Sequence, residues 1–149
     1  MPHRHTFAFP DYLSSEQPAH TAQVAATVAF RDCDPMGVLW HGNYLAYCEI
    51  ARNALGRELG FGITTLMNRA IFAPVVRSQV VHLGPVRAED ELTITASLYP
   101  TRQPRLYHRY HLHHGSQLVA EAETEQVLTT TDFTLVLQQP DELRLLFER

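Results

Sequence analysis

The sequence has little cysteine, no long apolar run and no excess of positive charge. Its two cysteines, Cys33 and Cys48, are too few for a disulfide framework, which indicates a reducing, cytoplasmic compartment. No apolar run approaches the roughly 18 residues that a membrane-spanning helix needs, and the first twenty residues lack the apolar region of a signal peptide. A formal net charge of −4 argues against a general nucleic-acid binder. Any anionic ligand would therefore need a local basic patch.

What the sequence does contain is enough apolar material for one folded core. Of its 149 residues, 45% are apolar and 19% are charged, a composition typical of globular domains. Residues 1–20 contain prolines and polar residues without a clean period, so we predict a loosely attached N-terminal arm there. Residues 21–149 are predicted to form a single domain.

Hydrophobic periodicity predicts the elements of that domain. Apolar residues alternate over Gln23–Arg31, which indicates a strand with one buried face. From about Asn43 the period becomes helical and ends at Gly60, where a helix C-cap glycine is expected. A short second helix is predicted at Ile63–Ala70. Four more strands are predicted at Phe72–Leu83, Glu91–Tyr99, Leu106–His114 and Gln117–Thr130, and Asp141–Phe147 is predicted to form one or two helical turns.

The connections between the four later strands are short, which predicts antiparallel neighbours. One amphipathic helix packed on such a sheet is an α+β design. A single helix cannot cover a wide five-stranded sheet, so we expect oligomerisation to hide the remaining surface and the edge strands.

Functional residue types are densest between Arg31 and Arg52, in the segment RDCDPMGVLWHGNYLAYCEIAR. A strand ends, two aspartates follow, a glycine turn intervenes, and the long helix begins. A helix N-terminus presents unpaired N–H groups, and a carboxylate facing them across a bound carbonyl is the layout that acyl transfer needs. The same spacing also occurs in calcium loops and in ordinary strand-to-helix turns, so spacing alone leaves those alternatives open.

The segment resembles the 4-hydroxybenzoyl-CoA thioesterase family of hotdog proteins. The family's D-x-D-x-x-G motif is matched by Asp32, Asp34 and Gly37. His41 stands seven residues after the second aspartate, as in the branch of the Tol–Pal-associated acyl-CoA thioesterases. Other matching positions are Trp40, Asn43, Tyr44 and Glu49. The resemblance covers about residues 23–131.

The resemblance implies the hotdog fold, in which a curved antiparallel five-stranded sheet wraps around one long helix. It implies an acyl-CoA thioesterase, a homodimer or homotetramer with active sites at the subunit interface, and no metal or redox cofactor. Asp34 would be the catalytic carboxylate, as nucleophile or general base. His41 would contact substrate or water, and its backbone N–H would polarise the thioester carbonyl.

The resemblance also assigns roles to neighbouring residues. Asp32, Gly37 and Glu49 would support the site, and substrate or CoA would be bound by Trp40, Asn43, Tyr44, Arg102 and Arg105. Plainer interpretations stay open. The aspartates can hold a turn, Asn43 can be a cap, Tyr44 can be a core aromatic, Glu49 can be a solvated helix residue, and the arginines can belong to a solvated turn.

Four histidines occur close together, at His108, His111, His113 and His114. His111 and His113 have the spacing of some zinc ligand pairs, but no cysteine or further carboxylate accompanies them, so we predict a solvent-facing polar strand face. Two other functions compete with hydrolysis: a hotdog dehydratase, whose differently placed histidine and acid are not evident, and a non-catalytic acyl-CoA sensor. Sensing needs no carboxylate at the bond being broken, so Asp34 argues against the sensor.

Overall fold

A computed structural model of the chain describes residues 17–148. The predicted N-terminal arm falls mostly outside these residues. The strands are β1 (His20–Thr27), β2 (Val75–His82), β3 (Glu91–Tyr99), β4 (Arg105–His114) and β5 (Gln117–Val127). The helices are α1 (Tyr44–Glu58), α2 (Ile63–Asn68) and α3 (Asp141–Phe147), and short 3₁₀ turns lie at Phe30–Asp32 and His41–Asn43.

The five strands form one curved antiparallel sheet in the order β1-β3-β4-β5-β2. The strands β3, β4 and β5 follow one another as hairpins, because their connections are too short for anything but antiparallel neighbours. The tight β4–β5 turn contains Gly115 at φ +58°. This order leaves β1 and β2 as the two edge strands of the sheet. Each edge has unpaired backbone groups that another chain could cover.

The long helix α1 packs along the inner face of the sheet, mainly on β1 and β3. Its buried stripe includes Tyr47, Ala51 and Leu55, which meet inward side chains such as Ile94 and Leu112. Burying each large apolar side chain contributes about 1.5–3 kcal/mol, so this stripe fixes the position of the helix. The helix stops where the sequence predicts, since Gly60 adopts φ +67° just beyond its end.

The strand β1 ends earlier than predicted. The alternation of apolar residues continues to Arg31, but the chain turns after Thr27. Backbone N–H groups of Asp32 and Cys33 donate to the carbonyls of Ala29 (3.0 Å) and Phe30 (3.1 Å). A 3₁₀ turn therefore replaces the last part of the predicted strand and delivers the two aspartates to the start of α1.

The prediction of a solvent-facing histidine face is wrong for His108. On β4 the inward residues are Leu106, His108, Tyr110 and Leu112, and His108 is only 5% exposed. Strand alternation puts every second residue on the same side, so His108 shares the core face while His111 is half-buried on the other.

Candidate active site at the start of the long helix

Asp34 lies in a tight turn ahead of α1, and one of its carboxylate oxygens holds that turn. The backbone N–H groups of Met36 and Val38 donate to Asp34 Oδ1 at 2.9 and 3.4 Å. Gly37 adopts φ +79°, a left-handed conformation that other residues resist, and its N–H donates to the Asp34 carbonyl at 2.9 Å. Asp34 Oδ2 has no hydrogen-bond partner among the described residues. The carboxylate is thus positioned by one oxygen and open at the other.

Asp32 ties the same loop to the helix. Its Oδ2 accepts a 2.6 Å hydrogen bond from the Tyr47 hydroxyl, which itself accepts from the Ala29 N–H at 3.0 Å. The Asp32 carbonyl accepts from the Trp40 N–H (3.0 Å) and from Asn43 Nδ2 (2.9 Å). The side-chain-to-backbone bonds predicted for Asp32 are instead made by Asp34. Burial and the bond to Asp32 raise the pKa of Tyr47.

Unpaired N–H groups lie at the start of the helix. His41 begins the 3₁₀ turn that leads into α1, and its backbone N–H meets no acceptor within residues 17–148. Asn43 occupies the N-cap position of α1 but makes no side-chain cap, because its amide is engaged by Asp32. Donors of this kind carry the partial positive charge of a helix N-terminus and suit an oxygen that gains negative charge.

Trp40 covers this helix start. Its ring centroid lies 5.0 Å from that of His41, and 46% of the residue is exposed. The ring also lies against Gly42, where a Cβ atom would come within 2.2 Å of the indole. Only glycine at position 42 lets the indole take this place.

His82 is a functional candidate that the sequence interpretation missed. It is the last residue of β2, and its ring packs edge-on against the buried ring of Tyr44 at a centroid distance of 4.5 Å. Burial and the nearby His41 lower the pKa of His82. A strand end and a helix start that lie 38 residues apart meet only in the fold, so no local pattern marks this residue.

The neighbouring thiols are poor nucleophiles. Burial and the charges of Asp32 and Asp34 raise the pKa of Cys33, and burial raises that of Cys48 to about 12. Both cysteines are unpaired. Because the thiolate is the reactive form, Asp34 is the better candidate for attack at this site.

The predicted basic residues lie away from Asp34 within one chain. Arg102 is exposed in the β3–β4 turn, and Arg105 forms an ion pair with Glu125, which also lies 3.6 Å from Arg77. This turn and the loop beside Asp34 lie at opposite ends of β3, which corresponds to roughly 27 Å for a strand of this length.

Glu49 lies one and a half turns into α1, where it is exposed and pairs with Arg52 at 3.5 Å. Within residues 17–148, no three histidine, cysteine, aspartate or glutamate side chains are placed to share a metal ion. Over the same stretch, no helix is both long and apolar enough to cross a membrane.

Comparison with known proteins gives a consistent result. Residues 28–144 match the model of the thioesterase-like superfamily. A 1,4-dihydroxy-2-naphthoyl-CoA hydrolase of Thermosynechococcus vestitus is 27% identical over 119 residues, which cover 78% of this chain and 82% of that protein. The acyl-CoA thioester hydrolase YbgC of Escherichia coli is 31% identical over 75 residues, 50% of this chain and 56% of the relative.

The fold has close counterparts among solved structures. A 4-hydroxybenzoyl-CoA thioesterase variant in complex with 4-hydroxybenzoyl-CoA superposes with a TM-score of 0.74 at 22% identity, and covers 86% of this chain and 99% of that one. The curved sheet around one long helix is therefore the hotdog fold, and that prediction is confirmed.

Proposed function

The chain belongs to the thioesterase-like superfamily, and from this we propose that it hydrolyses an acyl-CoA thioester to a carboxylic acid and free CoA. The observation that carries the proposal is Asp34, held at one carboxylate oxygen and open at the other, seven residues ahead of the unpaired His41 N–H in the turn that leads into α1. Of the three similar proteins named above, two have names that specify an aromatic acyl group and one has a name that specifies none, so the acyl group is a separate question.

In the proposed reaction Asp34 acts on the carbonyl carbon, directly as a nucleophile or by taking a proton from water. The carbonyl oxygen gains negative charge in the tetrahedral state and accepts from the His41 N–H, a donor worth roughly 10²–10³ in rate when well aimed. The C–S bond then breaks, and CoA leaves as a thiolate that takes up the proton lost by the attacking water. On the nucleophilic route that water attacks in a second step, when it cleaves the acyl–Asp34 anhydride and restores the carboxylate. Trp40 and Tyr44 would form the walls around the acyl group, and the His41 side chain would contact substrate or water.

Hydrolysis is favoured over acyl-CoA sensing because Asp34 keeps an open carboxylate oxygen. A carboxylate at this place is needed to cleave the thioester, whereas a sensor has no use for one. A place in the 4-hydroxybenzoyl-CoA thioesterase family, and in its Tol–Pal-associated branch, is proposed from the D-x-D-x-x-G motif and His41. A cytoplasmic location suits the two unpaired thiols of Cys33 and Cys48.

We further propose that the working unit contains at least two copies of the chain. The strand β2 is an edge of the sheet, and its first residues Val75 and Val76 are 44% and 55% exposed. Pairing of two β2 strands in antiparallel fashion would cover these valines and satisfy the unpaired edge. It would also bring the start of one β2 beside His82 of its mate, so each active site would border both subunits.

The CoA phosphates are proposed to contact Arg102 and Arg105. Within one subunit these arginines lie most of the length of β3 away from Asp34. A contact between them and the CoA bound at Asp34 therefore agrees best with a site shared between subunits. Arg105 is already paired with Glu125, which makes the exposed Arg102 the freer charge for a phosphate.

The test is the variant Asp34→Asn in an assay of thiol release from a panel of acyl-CoA esters. Asparagine keeps the Oδ1 acceptor for the turn, so fold and oligomeric state should persist while kcat falls by at least about 10²-fold. Asp141→Asn, an exposed aspartate on α3, is the matched control and should keep full activity. A near wild-type kcat for Asp34→Asn contradicts the mechanism.

A further inference from the structure

A cavity of about 430 Å³ lies between the second half of α1, the helix α2 and the inner face of the sheet. Its walls are mainly apolar and include Leu55, Leu59, Leu66, Ile71 and Leu106. Small-molecule sites have this size and this apolar character, with a few polar groups that fix the orientation of the ligand. Asp34 is not among its lining residues, so the cavity is a feature separate from the loop that holds the catalytic carboxylate.

Five polar side chains line the cavity, and Arg52 lies near enough to His108 to act on its charge. They are Glu49, Arg52, Asn53, His108 and Gln126. The Arg52 side chain is 18% exposed, and its carboxylate neighbour Glu49 lies 3.5 Å away with half of its side chain in solvent. Gln126 Nε2 donates to the Ala73 carbonyl at 2.7 Å. The Gln126 Oε1 and His108 Nδ1 atoms are buried without a hydrogen-bond partner among the described residues.

Such orphaned atoms are costly. Each buried polar atom without a partner costs about 1–3 kcal/mol, and folded proteins have few of them. An apolar residue at position 108 would avoid the cost, so the imidazole beside a cavity indicates a ligand that supplies the missing partner of His108 Nδ1. Gln126 Oε1 is an acceptor, so it adds polarity to the wall but would not bind a carboxylate.

The charge at this part of the wall specifies the ligand further. Burial and the Arg52 guanidinium lower the pKa of His108 to about 3, so the imidazole is neutral near pH 7. Arg52 is then the cation on this wall, and Glu49, which lines the same cavity, pairs with it. A ligand carboxylate would therefore share or displace that pair. A guanidinium prefers a carboxylate, which it can bind through two parallel hydrogen bonds.

We propose that this cavity binds an apolar carboxylic acid, with the carboxylate at Arg52 and His108 and the hydrocarbon part along Leu55, Leu59 and Leu66. The proposal goes beyond thioester hydrolysis, since it concerns binding of a free acid. The bound acid could come from either of two sources that are chemically alike. It is either the product of the chain's own reaction or an independent acid that acts as an effector.

The test compares octanoate with octylammonium, which has the same chain length and the opposite charge, by calorimetric titration of the full-length protein. We expect octanoate to bind at least tenfold more tightly than octylammonium. Arg52→Met should weaken octanoate binding at least tenfold, whereas Arg52→Lys, which keeps the charge, should retain most of it. Arg57→Met is the matched control, because Arg57 is an exposed arginine on the same helix outside the cavity wall.

His108→Phe should weaken octanoate binding several-fold while leaving the protein folded. Leu66→Trp should fill the apolar part of the cavity and weaken both ligands. Equal affinities for octanoate and octylammonium, an equal effect of Arg52→Met and Arg57→Met, or no octanoate binding at millimolar concentration would each overturn the proposal.

The two sources are distinguished by kinetics with octanoyl-CoA as substrate. Competitive inhibition by octanoate, lost in Arg52→Met, identifies the cavity as the place that the product acid occupies. Noncompetitive inhibition or activation, lost in the same variant, identifies an effector site. The titrations need no turnover, so they stand even if the chain hydrolyses no acyl-CoA, and Asp34→Asn should leave them unchanged.

Discussion

Burial of His108 predicts a specific loss of stability in mild acid, which His108→Phe should remove. The ring lies in the core face of β4, stacked at 6.1 Å on Tyr110, and Arg52 is the charged group that faces it from α1. These surroundings lower its pKa from 6.5 to about 3. Below pH 6.5 the unfolded chain therefore takes up a proton at this residue while the folded chain does not, until the pH approaches 3.

The size of the effect follows from that difference. Each pH unit between 6.5 and 3 lowers the free energy of unfolding by about 1.4 kcal/mol for one proton bound only in the unfolded state. At pH 5 the wild-type chain should have lost about 2 kcal/mol through His108. Above pH 6.5 the residue is neutral in both states, so its contribution no longer changes with pH.

The assay is urea denaturation of the wild type and of His108→Phe at several pH values between 7.5 and 4.5. The other histidines are the same in both proteins, so the difference between the two curves isolates His108. We expect this difference to grow in favour of the variant as the pH falls. Leu106→Val, a change on the same strand face, should instead lower stability by about 1 kcal/mol at every pH. A difference between wild type and His108→Phe that stays constant from pH 7 to pH 5 would refute the buried, neutral histidine.

Four further outcomes are expected. Asp32→Asn should lower the free energy of unfolding by about 1–2 kcal/mol in urea titrations, because the Tyr47 hydroxyl loses a charged acceptor. If Asp32→Asn instead lost as much kcat as Asp34→Asn with no loss of stability, Asp32 would be the catalytic carboxylate. Gly42→Ala should displace the Trp40 ring and raise KM more than it lowers kcat, and unchanged kinetics would show that the ring position does not matter to substrate. Arg102→Ala should raise KM for acyl-CoA at low salt with little change in kcat, and this effect should shrink as salt is added; an unchanged KM would place the phosphate contact elsewhere. Light scattering at micromolar concentration should show a dimer or a tetramer, the tetramer being the expected assembly, and a monomer would contradict the shared site.

The elements with one clear period could be predicted from the sequence. The bounds of β3 and α3 agree with the prediction, and α1 ends at the glycine expected for it. Errors occur where two signals overlap. The apolar alternation continues past Thr27, but a 3₁₀ turn ends the strand there. His108 was expected to face solvent because histidine is polar, whereas the alternation of side chains along β4 places its ring in the core.

The candidate site could be predicted only as far as it is contiguous in sequence. The motif placed Asp32, Asp34 and Gly37 in one turn, but the division of roles between the two carboxylates depends on where Tyr47 presents its hydroxyl. His82 reaches the site through the position of β2 relative to α1, and a linear pattern does not contain that relation.

Trp40 is the only tryptophan in the chain, and it is half exposed at the mouth of the proposed site. The protein therefore has an intrinsic fluorophore beside the loop that holds Asp34. Its emission should shift to shorter wavelength when an acyl group displaces water from the indole. Binding can thus be followed in the unmodified chain by excitation of a single residue, with no label that would disturb the contact between the indole and Gly42.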